Sequence, residues 1–352
     1  MTRALVLCAL LGAVLFGLRR AVTPAPPPVA GELLRQLVPE AERDELRIAG
    51  ISIEGLPQGE RFVYTLQDGA WRCSTVYDAV ALTNELEALV GELVAAWGQV
   101  VAQGESAADY GIGTETTLRV RLHGPDFASD PERDVRLDVE LGASLPGLGE
   151  GRGFLRVTGT DEVFEIDHNP RARLVSDDPD RKLPPMLDER LLAGEFPSLG
   201  EGIERAFIDY ADGRSIEVTS RVLGPAPAPD RPPPREWIAI EGDRTARCLP
   251  YRIGGWQSFL YRVEYIGLSD PAAAARRGLD APVATITLLQ VDRSPVKLVI
   301  GRPAPNGATF VLNEATGQLC LLGSAEVPLL LAGVDGLCST EIANPWETWL
   351  PR

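Results

Sequence analysis

Hydrophobic and polar positions alternate along most of the chain, and the same order of segments occurs twice. The first copy contains residues 61–73, 110–112, 118–122, 135–142 and 154–157. These segments align in order with residues 236–248, 277–279, 285–289, 296–301 and 310–313. Because similar segments return in the same order, the sequence predicts one structural unit that has been duplicated.

Alternation with a period of two predicts strands in both copies. In the first copy the strands are residues 46–53, 63–66, 118–122, 135–141, 154–157 and 163–166. In the second they are residues 206–210, 215–221, 237–240, 283–291, 296–300, 309–312 and 318–322. Asp68-Gly69 and Asp212-Gly213 are turn dipeptides that predict tight hairpins between neighbouring strands.

Helical spacing is restricted to a few segments. The first predicted helix follows Asp78 as its N-cap and presents Leu82, Leu86, Leu89, Leu93 and Trp97 on one face. The second presents Trp256, Phe259, Leu260, Val263 and Ile266. Residues 186–192 and 326–334 predict shorter helices. Strand-rich copies with short links and one main helix each predict an α+β fold, mainly antiparallel.

The N-terminus predicts a membrane anchor. The apolar run of residues 4–18 suits a signal segment and is shorter than the roughly 20 residues of a spanning helix. Arg19-Arg20 stand where a small-residue cleavage site would be expected, so we predict an uncleaved signal anchor, with a cleaved signal as the alternative. The proline-rich residues 23–30 predict an extended spacer.

These patterns divide the chain into five parts. We predict a signal anchor at residues 1–22, a proline-rich spacer at 23–42, repeat 1 at 43–203, repeat 2 at 204–340 with a proline-rich insertion at 224–234, and an aromatic tail at 341–352.

The composition limits the classes of partner. Apolar residues make up 45% of the chain, so sizeable cores can form. The formal net charge of -16 argues against nucleic-acid binding, which needs clustered lysine and arginine. Acidity of this kind is the ordinary means of keeping a protein soluble.

Candidate chemistry along the chain is sparse. We expect His123 and His168 to be structural or merely solvated. The carboxylates of residues 161–167 alternate along a hairpin, residues 177–180 lack the EF-hand pattern, and the glycine-rich residues 147–153 precede a strand rather than a helix. Ser74, Ser144 and Ser198 lack the context of a nucleophile elbow. We therefore predict no catalytic, cofactor-binding or metal-binding residues.

Four cysteines lie outside the apolar run: Cys73, Cys248, Cys320 and Cys338. An even number in an exported chain permits two disulfides, with three possible connectivities. Cys320 ends a predicted strand and Cys338 follows the next helix, which favours a Cys320–Cys338 bond. Buried free thiols are the alternative.

Several motifs together resemble the domain-of-unknown-function family 4340. They are a strand pair that returns through an aromatic residue and Cys73, a leucine-rich helix, Tyr110-Gly111-Ile112, Leu141-Gly142 and the run of residues 187–192. The second copy departs more from this pattern. The resemblance implies an N-terminal anchor, a soluble region facing the envelope and an association with gliding-motility-type ABC transporters. That family has no established catalytic residues, so it implies none here.

The leading hypothesis is a non-enzymatic, membrane-anchored envelope protein that serves as an interaction or accessory module of a membrane complex such as an ABC-type transporter. The expected location is the inner membrane, with the soluble region in the periplasm. Secretion after signal cleavage is the alternative. A second hypothesis is a glycan- or peptide-binding module, motivated by Trp97, Trp256, Trp346 and Trp349. A third is a carboxylate-based hydrolase.

Overall fold

The computed structural model describes most of the chain between residues 35 and 338. The described residues are 35–43, 45–127, 130, 132–143, 151–176, 178, 181–193, 203–225, 235–290, 293–304 and 306–338. The predicted anchor, most of the spacer, residues 226–234 of the predicted insertion and the aromatic tail lie outside them. No helix among the described residues is long and apolar enough to cross a membrane.

Short strands joined by tight turns dominate the described chain. The strands are β1 (Arg35–Gln36), β2 (Gly50–Leu56), β3 (Gly59–Gln67), β4 (Ala70–Cys73), β5 (Ala79–Val80), β6 (Trp97–Gln103), β7 (Leu118–His123), β8 (Val135–Leu141), β9 (Gly153–Val157), β10 (Glu162–Ile166), β11 (Ile203–Tyr210), β12 (Ser215–Val222), β13 (Arg235–Glu241), β14 (Arg244–Arg247), β15 (Gly267–Ser269), β16 (Ala284–Gln290), β17 (Val296–Pro303), β18 (Thr309–Asn313) and β19 (Gln318–Leu322). The α-helices are α1 (Glu40–Arg43), α2 (Thr83–Ala95), α3 (Pro170–Leu174), α4 (Pro250–Arg262), α5 (Glu326–Leu330) and α6 (Val334–Cys338).

The chain divides into two compact units, each built from separate stretches of sequence. The first unit comprises Met1–Arg61 and Glu87–Asp177, and the second comprises Phe62–Leu86 and Asp178–Arg352. Strand β3 and helix α2 each cross a boundary between the units. The predicted repeats are defined by sequence similarity and stay a prediction.

In the first unit the strands are hydrogen-bonded in the order β1-β6-β10-β9-β8-β7-β2. The pairings are antiparallel, with Ile53 opposite Val120 and Val120 opposite Val139. These three side chains are almost completely buried. Alternation of apolar and polar positions therefore puts one face of this sheet into a core.

In the second unit the order is β14-β13-β12-β11-β16-β17-β18-β19-β15. Ile208 lies opposite Ile286, which lies opposite Leu298, and all three are fully buried. Helix α4 contributes buried Trp256 and Leu260 to the same core. The unit also contains most of β3 and all of β4 and β5, which pair consecutively and antiparallel.

A segment of the second unit, residues 185–191, connects β5 with the chain that follows α4. Ala81 forms an antiparallel bridge with Leu187, and Arg190 forms another with Glu264. The Tyr64 hydroxyl donates to the carbonyl of Pro185, and the Leu191 amide donates to the Val263 carbonyl at 2.8 Å. We call residues 185–191 the strap.

The coarse fold class is confirmed, since the two sheets are mainly antiparallel and the helices few. The Asp68-Gly69 hairpin is confirmed, with both residues at positive φ. Helix α2 is confirmed as well, and its Leu86, Leu89 and Leu93 are fully buried.

Several local predictions are wrong. Asp78 has a φ of 53° and lies before the bridge that precedes α2, so it is not the N-cap. Trp97 begins β6, which the sequence did not predict. Residues 186–192 do not form a helix, because backbone groups of this segment bond to Val80, Leu82 and Val263. The predicted helix 326–334 is split into α5 and α6.

Candidate functional sites

The two histidines lie in different surroundings. The His123 Nε2 is 2.9 Å from the Ser52 Oγ, and its Nδ1 is 3.2 Å from the carbonyl oxygen of Arg133. Both His123 and Ser52 are buried, and the His123 ring stacks on Phe127 at 4.1 Å. Burial lowers the pKa of His123. A serine–histidine pair closed off from solvent in this way holds strands β2 and β7 together and offers a substrate no access.

The carboxylates of residues 161–167 are held by separate positive groups. Glu162 pairs with Arg35 at 2.8 Å and Glu165 with Arg152 at 2.6 Å. Asp167 accepts from His168 Nδ1 at 2.8 Å, which lowers the pKa of Asp167. These contacts bring no two of the acids together as an acid–base pair requires.

The structure describes the remaining motifs only in part. Strand β9 begins at Gly153, so a strand and not a helix follows the glycine-rich run, whose residues 147–150 lie outside the described chain. Ser144, Ser198 and most of residues 177–180 also lie outside it. The Ser74 hydroxyl donates to the Val63 carbonyl. Among the described residues, no three His, Cys, Asp or Glu side chains are grouped to hold a metal ion.

A charged network covers part of the outer face of the first unit's sheet. Arg121 is only 4% exposed and contacts three carboxylates: Glu54 at 2.9 Å, Glu132 at 3.1 Å and Asp138 at 3.3 Å. Arg119 binds both oxygens of Asp138, at 2.9 and 2.6 Å. Although burial opposes ionisation, the hydrogen bonds from Arg119 and Thr158 leave the pKa of Asp138 lowered. Because several carboxylates balance the charge of this buried guanidinium, we assign the network to the structure of the sheet and not to a binding site.

The sequence contains a signal for this network. Arg119, Arg121 and Asp138 occupy the polar positions of two adjacent strands, and cross-strand pairs of opposite charge stabilise sheets. The pattern does not predict the burial of Arg121, because that burial depends on side chains from β2 and from the loop before β8.

The cysteines do not follow the predicted connectivity. Cys338 at the end of α6 faces Cys248, with the two Sγ atoms 2.8 Å apart, so the predicted Cys320–Cys338 bond is wrong. All four cysteines of the described chain are buried free thiols in the structure, as the alternative prediction had it, and Cys73 and Cys320 are fully buried. Burial raises the pKa of Cys320 to about 12, which keeps its thiol protonated.

An apolar groove lies between α4, α5 and α6 in the second unit. Its volume is about 210 Å³. The groove is lined by Arg252, Trp256, Phe259, Pro328, Leu329, Leu331, Ala332, Gly333, Gly336 and Leu337. The Arg252 guanidinium donates to the carbonyls of Asp335 and Gly336 at 3.2 and 3.0 Å, and so fixes α4 against α6.

The first unit carries a wider and more open depression of about 530 Å³. Gly55, Leu56, Pro57, Gly59, Glu115, Thr116, Arg171 and Val175 line it. The Arg171 side chain donates to the Thr116 carbonyl at 2.7 Å. The described residues of this lining include no aromatic ring.

The predicted binding tryptophans differ in their exposure. Trp97 is 48% exposed at the start of β6. Trp256 is 3% exposed, and its Nε1 donates to the Leu330 carbonyl at 3.3 Å, so it is a core residue that forms one wall of the groove. Trp346 and Trp349 lie outside the described residues.

Comparison of the chain with family models, with curated proteins and with solved structures found no match. The resemblance to the domain-of-unknown-function family 4340 therefore stays a prediction.

Proposed function

We propose that this chain is a non-enzymatic, membrane-anchored envelope protein that acts as an interaction module of a membrane complex such as an ABC-type transporter. The observation that carries this proposal is the apolar groove between α4, α5 and α6. Its volume of about 210 Å³ is below the roughly 300–1,000 Å³ of typical small-molecule sites. A groove of this size accommodates one or two apolar side chains of a protein partner.

The construction of the groove supports docking of a partner. Phe259, Leu329, Leu331 and Ala332 are only partly buried, so apolar surface is available along it. Tyr251 is 58% exposed and adjoins Arg252, whose guanidinium carbon lies 5.8 Å from the centre of the tyrosine ring. Arg252 itself is buried, so the exposed side chain here is that of Tyr251, and aromatic side chains beside an apolar centre are typical of protein interfaces.

We further propose that the two sheets arose by tandem duplication. The order β6-β10-β9-β8-β7-β2 in the first unit corresponds, strand by strand, to β15-β19-β18-β17-β16-β11 in the second. In each chain stretch a 3₁₀ helix ends at a left-handed glycine, Gly111 or Gly278. Both similarities support the duplication.

Residue contacts beside these glycines also support a common origin. The Tyr110 ring lies 4.9 Å from the Phe154 ring, and in the second unit the Arg277 guanidinium lies 4.7 Å from the Phe310 ring. Gly142 directly follows β8 and Gly301 lies within β17, and a Cβ atom on either glycine would approach the carbonyl oxygen of Tyr110 or Arg277, respectively.

The proposed anchor is the apolar run of residues 4–18, which would hold the protein in the inner membrane with its soluble region in the periplasm. Cell fractionation followed by protease treatment of spheroplasts tests this placement. Full-length protein in the membrane fraction that becomes digestible from outside supports it, whereas protection from the protease contradicts it. Recovery of a shortened chain in the medium would favour the secreted alternative.

The interaction proposal is tested by affinity capture of the full-length protein from detergent-solubilised native membranes, with the captured proteins identified by mass spectrometry. The groove variant is Leu329→Glu combined with Ala332→Glu. The matched control is Val222→Glu, at an exposed apolar position on β12. Circular dichroism first establishes that both variants are folded.

We expect the wild type and the Val222→Glu control to capture the same membrane proteins in similar amounts. The groove variant should capture at least tenfold less of these proteins. Transporter subunits among them would identify the complex. Equal capture by the groove variant would show that the groove is not the interface. Capture of nothing specific beyond an anchor-only control would contradict the interaction module itself.

A glycan- or peptide-binding envelope module is the second candidate, because Trp97 is half exposed and the depression beside Arg171 is open. Its test is binding of the soluble region to isolated cell-wall material. Retention that is lost in Trp97→Ala would favour this candidate, and absence of retention would count against it.

A further inference from the structure

Cys248 and Cys338 are brought together from distant parts of the second unit. Cys248 lies between β14 and α4, and Cys338 is the last residue of α6. Their Sγ atoms are 2.8 Å apart, and the side chains are 2% and 9% exposed. The two residues are 90 positions apart in the sequence.

The distance between the sulfur atoms is short for two independent thiols. It lies between the covalent S–S length of about 2.05 Å and the roughly 3.5–4.0 Å of ordinary contacts between heavy atoms. Two separate thiols are therefore pressed into contact, and a bond between them needs only a small movement of the side chains.

The backbone holds both residues in place for this bond. The Cys248 amide donates to the Trp237 carbonyl at 2.8 Å, which fixes Cys248 to β13. The next amide, of Leu249, donates to the carbonyl of Leu337 at 3.1 Å, one residue before Cys338. This hydrogen bond joins the two chain segments directly beside the cysteine pair.

We propose that Cys248 and Cys338 form a disulfide bond that ties α6 to the junction of β14 and α4. The oxidant is a disulfide, either of a thioredoxin-type protein or of a small thiol such as glutathione. The Cys338 thiolate attacks this disulfide and displaces one thiolate, which gives a mixed disulfide on Cys338. The Cys248 thiolate then attacks the Cys338 Sγ and displaces the second. The oxidant takes up two electrons, and the two cysteine protons pass through solvent to the displaced thiolates.

The surroundings favour Cys338 as the first nucleophile. The hydrogen bond from Cys248, followed by the Ala239 backbone and the Arg244 guanidinium, lowers the pKa of Cys338 despite its burial. Thiolates, not thiols, are the reacting species in disulfide exchange. The inference stands on the cysteine geometry and does not depend on the partner of the groove.

The bond is tested on purified full-length protein in detergent, equilibrated with glutathione disulfide. Free thiols are blocked with iodoacetamide without reduction, and the digested protein is analysed by mass spectrometry. We expect one linked peptide pair that contains Cys248 and Cys338, two hydrogens lighter than the free peptides, with Cys73 and Cys320 recovered in alkylated form. Alkylated Cys248 and Cys338, glutathione on Cys338 alone, or a bond to Cys73 or Cys320 would overturn the proposal.

Thermal unfolding with and without dithiothreitol gives a second readout. Closing a loop of this length should raise the melting temperature, and we expect reduction to lower it by about 5–15 °C. The Cys248→Ala and Cys338→Ala double variant is the control, and its melting temperature should not respond to dithiothreitol. If that variant fails to fold, the peptide map of the wild type decides. A wild-type melting temperature that does not change on reduction would contradict the stabilising bond.

Discussion

The two sheets bury similar strands but differ on the opposite face. Val120 at the centre of β7 lies between β2 and β8, and Ile286 at the centre of β16 lies between β11 and β17. In the proposed duplication these two residues are equivalent, and Arg119 and Arg121 correspond to Thr285 and Thr287. In the same register Asp138 corresponds to Lys297. Lys297 pairs with Glu314 at 2.8 Å, and both side chains are more than 40% exposed.

The difference shows which positions of the common sheet are constrained. Apolar side chains occupy the core face of both sheets, because burial of that face drives their formation. The opposite face carries a network of compensating charges in the first sheet. In the second sheet it carries threonines and one exposed ion pair. Arg121 is 4% exposed, so the first sheet depends on its charges in a way that the second does not.

The largest effect should follow from Arg121→Leu in the first sheet. Loss of the buried guanidinium removes one positive partner from each of Glu54 and Asp138, and we expect the free energy of unfolding to fall by about 3 kcal/mol. Urea denaturation measures this change. The matched control is Arg205→Leu on β11, which breaks an exposed pair with Glu217 and should cost less than about 1 kcal/mol. Equal losses of unfolding free energy in the two variants would show that the two sheets do not differ through burial of the charge.

A smaller difference is expected between two corresponding glycines. A Cβ atom on Gly142 would lie 2.1 Å from the Tyr110 carbonyl oxygen, whereas one on Gly301 would lie 3.1 Å from the Arg277 carbonyl oxygen. Because the first contact forces the backbone to move, Gly142→Ala should lower the free energy of unfolding by about 2–3 kcal/mol. We expect Gly301→Ala to cost about 1 kcal/mol or less. Thermal melts of both variants compare them, and a larger loss for Gly301→Ala would refute the proposed difference.

The smallest effect concerns pH, since His123 of β7 corresponds to Leu289 of β16. Burial lowers the pKa of His123 below the value of about 6.5 in an unfolded chain. Between the two pKa values the unfolded chain binds more protons, so stability rises with pH there and is lost as the pH falls below about 6.5. In a His168→Gln background, the protein with His123 should lose more stability between pH 7 and 5 than the His123→Gln variant. Parallel urea midpoints across this range would contradict it.

The sequence predicted what depends on local periodicity. The leucines of α2, the Asp68-Gly69 turn and most strands follow from spacing and turn chemistry alone. The alignment of residues 118–122 with 285–289 was shifted by one residue relative to the strand register, and such a shift moves every side chain to the opposite face. Similarity of short apolar runs does not detect a shift of this kind.

Features that depend on distant contacts were missed. Residues 186–192 have helical composition, yet backbone hydrogen bonds to Val80 and Val263 replace those of a helix. The groove requires three helices from separate segments, and the Cys248–Cys338 contact joins residues 90 positions apart. In each case the determining partner lies far along the chain, where periodicity carries no information.

The strap also imposes an order on events at the ribosome. Phe62–Leu86 belongs to the second unit, and Tyr64 finds its hydrogen-bond acceptor, the Pro185 carbonyl, 121 residues later. At about 5–20 residues per second, synthesis of that stretch takes roughly 6–24 s. During this interval the early hairpin has emerged without its final partner. The nascent chain must therefore keep β3, β4 and β5 competent for pairing until the second half of the protein has been made.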